Sequence, residues 1–275
     1  MSVEVESKQE KKEWEEGGGW ALRGVSFCVP AGFKVGICGR TGAGKSTLFT
    51  ALLRLADCEE KGGGEFGIVL DGLDIASVPL SRLRSAFSVI PQEPTLYKGT
   101  LRRNVDPFQK CTDDECFQAL AAVGLGVGKT PSGLDWVVDE GGGNLSVGER
   151  QLLCLARAIL RQPQILLVDE ATANVDHGTD LLVQKTIRER FTRATVLTVA
   201  HRLDTIMESD LILVLGAGKV LEAGPPSILM KKKGPFFSLV QAARTPHCQR
   251  IWPQEKWACC GDALYMTEST HKHSF

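Results

Sequence analysis

The chain has 275 residues, 43% of them hydrophobic and 24% charged, with a formal net charge of −1. This is an ordinary globular composition with apolar material for a sizeable core, and its near-neutral balance argues against a nucleic-acid footprint. No stretch reaches the ~20 apolar residues that a membrane-spanning helix needs, and nine cysteines without framework spacing point to a reducing, cytosolic compartment.

Residues 1–19 are charged and then glycine-rich, which predicts a poorly ordered arm. An ordered body is expected over 20–244. Its pattern is β-like at 25–29 and 34–38, and the second run leads through a glycine-rich turn into a helix over 45–54. Short strands follow at 68–70, closed by Asp71-Gly72, and at 86–90. Residues 100–160 read as mostly helical. Phe117, Leu120, Ala121 and Val123 recur at helical spacing, and a second helix covers 150–160. Strands at 165–168, 195–199 and 211–215 then alternate with helices at 177–191 and from Leu203. The turn Gly216-Ala217-Gly218 leads into 220–223. Strands alternating with helices argue a mostly parallel sheet covered on both faces, and the helical block at about 94–162 argues an inserted subdomain. From Thr245 the periodicity stops, so 245–275 is expected to be a disordered tail. The spacing of His247, Cys248, Cys259, Cys260, His271 and His273 in that tail fits no tetrahedral zinc site.

Two motifs carry chemistry. Gly39-Arg40-Thr41-Gly42-Ala43-Gly44-Lys45-Ser46 fits G-x-x-x-x-G-K-[ST] between a predicted strand and a predicted helix. Glycines let successive backbone N–H groups turn onto phosphates, and the helix N-terminus adds its positive end. Lys45 brings a mobile charge to the β- and γ-phosphates, Ser46 offers a hydroxyl to Mg²⁺, and Thr47 completes the loop. The second motif is Ile165-Leu166-Leu167-Val168-Asp169-Glu170, an apolar strand ending in two carboxylates at the edge where doubly wound sheets bind ligands. Asp169 is expected to hold Mg²⁺, and Glu170 to orient or deprotonate the attacking water. The two motifs together predict an α/β P-loop NTPase.

Further features choose the kind. Leu145-Ser146-Val147-Gly148-Glu149-Arg150-Gln151 resembles the signature of ATP-binding-cassette (ABC) proteins. Gln92 matches that family's Q-loop, Asp176 its D-loop and His201 its switch histidine, all in the family's order. The resemblance covers about residues 22–243. Residues 94–108, from Pro94 to Phe108, are similar to the multidrug-resistance-associated, or C-type, transporters. Glu170 after Asp169, and Leu-Ser-Val-Gly in the signature, resemble their second, C-terminal cassette. The short stretch after the cassette is expected to agree with that position.

The resemblance implies a P-loop core with a mostly parallel sheet, an antiparallel β subdomain and an inserted helical subdomain. It implies ATP and Mg²⁺ as ligands, with Ser46, Gln92 and Asp169 on the metal and Glu170, His201, Lys45 and Gln92 in catalysis. Ser146 and Gly148 would serve the ATP of a second cassette closed face to face on this one, and Asp176 of the D-loop would be a further nucleotide-binding residue. Transmembrane domains of an exporter would be the other partner, which places the chain on the cytoplasmic face of a membrane; no nucleic acid is implied. Glu140 matches a loop that touches the coupling helix of those domains. The adenine-stacking aromatic is expected to be Trp14, with Trp20 as its rival. Glu149 stands where the family usually has Gln, Val147 where many members have Gly, and the D-loop reads Ala-Asn-Val-Asp; these departures are expected to adjust the dimer contact without abolishing it. C-type relatives also include channels and channel regulators, but intact Lys45, Asp169, Glu170 and His201 favour catalysis. Cassette ATPases of DNA repair carry a long coiled coil, and those of translation carry two cassettes; neither feature is found in this sequence.

Overall fold

The structure is a computed structural model, and it describes residues 3–5, 20–56, 67–126, 132–171, 175–200 and 202–243. In chain order it begins with β1 (Val3–Val5), β2 (Phe27–Val29), β3 (Lys34–Gly39) and α1 (Lys45–Leu52). Next come β4 (Ile68–Leu70), β5 (Leu73–Asp74), α2 (Leu80–Ser85) and β6 (Phe87–Ile90). The middle of the chain holds β7 (Gly99–Thr100), α3 (Leu101–Val105), α4 (Asp113–Ala122), β8 (Val137–Val138) and α5 (Val147–Arg161). The rest is β9 (Ile165–Asp169), α6 (His177–Arg190), β10 (Thr195–Val199), β11 (Leu211–Gly216), β12 (Lys219–Gly224), α7 (Pro226–Lys232) and α8 (Pro235–Ala243).

The central sheet has the order β12-β11-β3-β10-β9-β6. All its pairs are parallel except β11 with β12. Its strands are apolar on both faces, as a covered parallel sheet requires. In β9, Ile165 and Leu167 join one core with Val35, Ile37 and Leu48, while Leu166 and Val168 join another with Leu153, Leu155 and Val183. The two-residue period thus splits one strand between two cores. A third, smaller core gathers Ile212, Val214, Leu229 and Phe236 under α7 and α8.

A second sheet is antiparallel, in the order β2-β1-β4-β5. β1 corrects an expectation, since it falls within residues 1–19, which the sequence predicts to be a poorly ordered arm. Its backbone pairs on both sides, Val3 with Val29 and with Leu70. A three-residue strand is too short for alternation to declare itself.

Among its described residues the inserted block is mostly helical, with one short antiparallel pair, β7 with β8. One guanidinium organises part of it. Arg102 donates to Asp113 Oδ1 at 2.8 Å, to Asp106 Oδ2 at 3.0 Å and to the Cys111 carbonyl at 2.5 Å. Asp106 is buried, which alone would raise its pKa, but bonds from the Cys111 backbone and Arg102 hold the carboxyl below the usual range. The helix expected from Leu203 is only a single 3₁₀ turn, Leu203–Ile206. The chain must reach β11 quickly, and Asp210 meets the start of β3 there: its backbone N–H donates to the Lys34 carbonyl at 2.8 Å, and its carboxylate accepts from the Lys34 N–H at 2.7 Å. Among the described residues, no helix is long and apolar enough to cross a membrane.

Candidate functional site

Strand register brings the motifs to one edge of the central sheet. Gly39 ends β3 opposite Leu215 of β11, and Asp169 ends β9 opposite Val199 of β10. Val168 faces Ile90 of β6, so the loop carrying Pro91 and Gln92 leaves the sheet at the same end. These are the carboxyl ends of parallel strands, where the backbone turns out and leaves room for a ligand.

The loop after β3 can only be built with glycine at two of its corners. At Gly39 (φ 149°), a β-carbon would lie 2.1 Å from the Leu215 carbonyl oxygen. At Gly44 (φ 96°), it would lie 2.6 Å from Leu22 Cδ2 and 2.8 Å from the Ala21 carbonyl oxygen. Between them, exposed Thr41 and Gly42 form the outer lip and Ala43 is buried beneath it. The loop is pinned by Ala43 N–H to Arg40 C=O at 3.1 Å and by Gly218 N–H to Ala43 C=O at 3.3 Å. Gly44 is also the N-cap of α1 and offers no side chain to cap it. The first N–H groups of α1, from Lys45, Ser46 and Thr47, therefore point at the loop without a side-chain acceptor from the cap, which suits an anion.

Lys45 curls over this loop, and its Nζ donates to Gly39 C=O at 3.0 Å and Arg40 C=O at 3.2 Å. An ammonium has three N–H bonds, so these contacts orient it without exhausting it. Ser46 is exposed, and its hydroxyl lies beside the Asp169 carboxylate. Half-buried Asp169 therefore sits at the phosphate-type loop. Burial pushes the Asp169 carboxyl above its ordinary range and the Glu170 charge adds to the effect, while the nearby Ser46 hydroxyl and the Lys45 charge oppose it. A hydroxyl and a carboxylate meeting at a phosphate-type loop form a hard-oxygen donor set, which fits Mg²⁺.

Glu170 has left-handed backbone (φ 45°), and its N–H donates to Val199 C=O at 3.1 Å. That conformation costs a non-glycine residue about 1 kcal/mol and recurs where a site fixes a side chain's direction. It turns Glu170 sharply away from the line of β9.

Gln92 is exposed on its loop. Its main chain is held from α5, because Gln151 Nε2 donates to Pro91 C=O at 3.0 Å and to Gln92 C=O at 3.1 Å. In the sequence Gln151 stands only as the last residue of the signature run, with no role of its own. The available signal was a lone amide at a buried register of a helix otherwise lined with Leu152, Leu153 and Leu155.

Ser146 is the N-cap of α5. Its Oγ accepts from Glu149 N–H at 3.2 Å, and its own N–H donates to Glu149 Oε2 at 2.9 Å, closing a capping box. Glu149, the departure from the family's Gln, thus serves helix initiation. A β-carbon on Gly148 would lie 3.1 Å from Thr179 Oγ1, so the signature turn packs against the start of α6. That start is capped by Asp176, which accepts from Thr179 N–H at 2.9 Å and from Thr179 Oγ1 at 2.7 Å. Those bonds hold the exposed Asp176 carboxyl below its usual range. Trp14, His201 and the 245–275 tail lie outside the described residues. Arg202, next to His201, reaches the buried Asp180 carboxylate at 3.3 Å. Trp20 is 37% exposed, and its neighbours Ala21 and Leu22 are the residues that crowd Gly44.

Comparison with known proteins gives the family. The profile of the ABC transporter family matches residues 22–173. The chain is 49% identical over 224 residues to rat ATP-binding cassette sub-family C member 2, covering 81% of this chain and 14% of the relative. It is 43% identical over 267 residues to human ATP-binding cassette sub-family C member 4, covering 94% of this chain and 20% of the relative. The chain therefore spans a fifth or less of the length of these two relatives. Among solved structures, a bacterial Atm1-family ABC exporter with ATP bound superposes with a TM-score of 0.77 at 34% identity, over 89% of this chain and 42% of that one.

Proposed function

The chain belongs to the ABC transporter family, whose cassettes are in general ATP-binding ATPases, and on that premise we propose that it is the nucleotide-binding domain of a C-type, multidrug-resistance-associated exporter. The observation that carries the reading is the strand register, which brings the glycine loop after β3 and the acidic end of β9 to one edge of the central sheet, with the Ser46 hydroxyl beside the Asp169 carboxylate.

In this reading the N–H groups of 39–47 and the Lys45 ammonium take the phosphates of ATP. Ser46, Asp169 and Gln92 hold Mg²⁺, which when bound withdraws charge from the phosphate oxygens. Glu170 accepts a proton from the attacking water, and His201 reaches the γ-phosphate. An aromatic face stacks on adenine, and Trp20, beside the loop, joins Trp14 as a candidate. Ser146, Gly148 and Asp176 face the ATP of a second cassette. Transmembrane domains, docked around Gln92 and Glu140 on the cytoplasmic side of a membrane, take up the motion.

Complementation between two dead variants tests the shared site. Lys45→Ala spoils the loop but leaves the signature; Ser146→Arg does the reverse. Each alone has no whole site, whereas a mixed pair has one. Mixing the two is expected to restore up to about half of the per-dimer ATP turnover. A mixture that stays dead while wild type turns over would exclude a site shared between two copies of this chain.

A further inference from the structure

Gln151 lies five residues after Ser146 on α5 and is only 2% exposed. Both N–H bonds of its amide are spent on main-chain carbonyls of the loop after β6, Pro91 and Gln92. That pairing fixes the amide's orientation, because the flipped form would set an oxygen against two oxygens. The far end, Oε1, is buried without a hydrogen-bond partner among the described residues. Buried acceptors are normally paired. Core packing alone would favour an apolar side chain here, as at Leu152 and Leu153, so the amide must serve the loop.

The contact is part of a series. Two turns along α5, Arg157 donates to Thr95 C=O at 2.7 Å and to Asn104 C=O at 2.5 Å. Asn104 in turn holds Tyr97, donating to its carbonyl at 2.8 Å and accepting from its N–H at 3.0 Å. One helix, which opens at Ser146 and Gly148, thus holds the carbonyls of Pro91, Gln92, Thr95 and Asn104 by its side-chain donors.

We propose that Gln151 is a positioning residue that locks the Gln92 loop to the signature helix, so that movement of α5 when its N-terminus meets a partner's nucleotide is carried to Gln92. This rests on the function proposed above. Gln151 touches no reacting atom; it acts through the backbone of Gln92.

The test uses the full chain with Gln151→Met, which keeps length and burial but removes both donors. Amide hydrogen exchange across residues 87–104 is expected to quicken about tenfold without nucleotide, while a peptide across 34–48 is unchanged. ATP turnover should fall about tenfold with ATP affinity preserved, and Gln92→Ala combined with Gln151→Met should be no slower than Gln92→Ala alone. Unchanged exchange across 87–104 in a folded variant, or losses that multiply in the double variant, would overturn the proposal. Should Gln151→Met not fold, Gln151→Asn, whose amide stops one methylene short, gives the same readouts. A wild-type chain that binds no ATP would remove the functional reading, while the exchange measurement still decides whether Gln151 holds the loop.

Discussion

Glu170→Gln is expected to lower ATP turnover about 100-fold or more while ATP affinity holds, because a positioned general base is worth roughly 10²–10⁴ in rate. Asp169 and Glu170 are adjacent but differently employed. Asp169 ends β9 in the sheet's register, beside the Ser46 hydroxyl. Glu170 departs through left-handed backbone, anchored by its own N–H on Val199. Its side chain is thereby freed from the metal position and available to a water. Glutamine keeps the volume and one acceptor oxygen but loses the basic charge. Nucleotide should therefore bind and not be consumed, and an ATP-held dimer should accumulate, visible as doubled mass in light scattering. Turnover at the wild-type rate would assign the base elsewhere.

Lys45→Ala should act one step earlier, on binding. Nζ is half-buried at the mouth of the loop, 3.0 and 3.2 Å from the Gly39 and Arg40 carbonyls. Those contacts hold the ammonium where a β- or γ-phosphate would meet it. A hydrogen bond to a charged group is worth about 1.5–3 kcal/mol, so its loss should weaken ATP binding about 10- to 100-fold. Titration with a fluorescent ATP analogue reads this directly, and equal affinities for variant and wild type would contradict the assignment. The backbone should not suffer, because the loop's shape comes from Gly39 and Gly44, not from the lysine.

How far the sequence could be read follows from how local each signal is. The site's main pieces are contiguous runs with a chemical reason for each residue, and β3, α1, β9 and β10 emerge within a residue or two of their expected bounds. What escaped depends on partners distant in the chain. Val3–Val5 become a strand only because β2 and β4 flank them. The helix expected from Leu203 shrinks to one turn because Asp210 is held at the start of β3. The helices after β12 were locally marked, since Pro226 stands at the first position of α7. They follow a strand pattern that draws attention away from them. Gln151 stands in the signature run, but its contact with the loop after β6 is not legible there. Its role depends on two carbonyls 59 and 60 residues away, which no spacing rule on α5 could name.

In the function proposed here, the glycine loop and the Asp169–Glu170 strand end form one Mg²⁺-dependent ATP site. Calorimetric titration of the wild-type chain with ATP, with and without Mg²⁺, tests it most directly. One nucleotide per chain is expected, with clearly tighter binding when Mg²⁺ is present. Absence of binding at millimolar ATP, or an affinity indifferent to Mg²⁺, would contradict it.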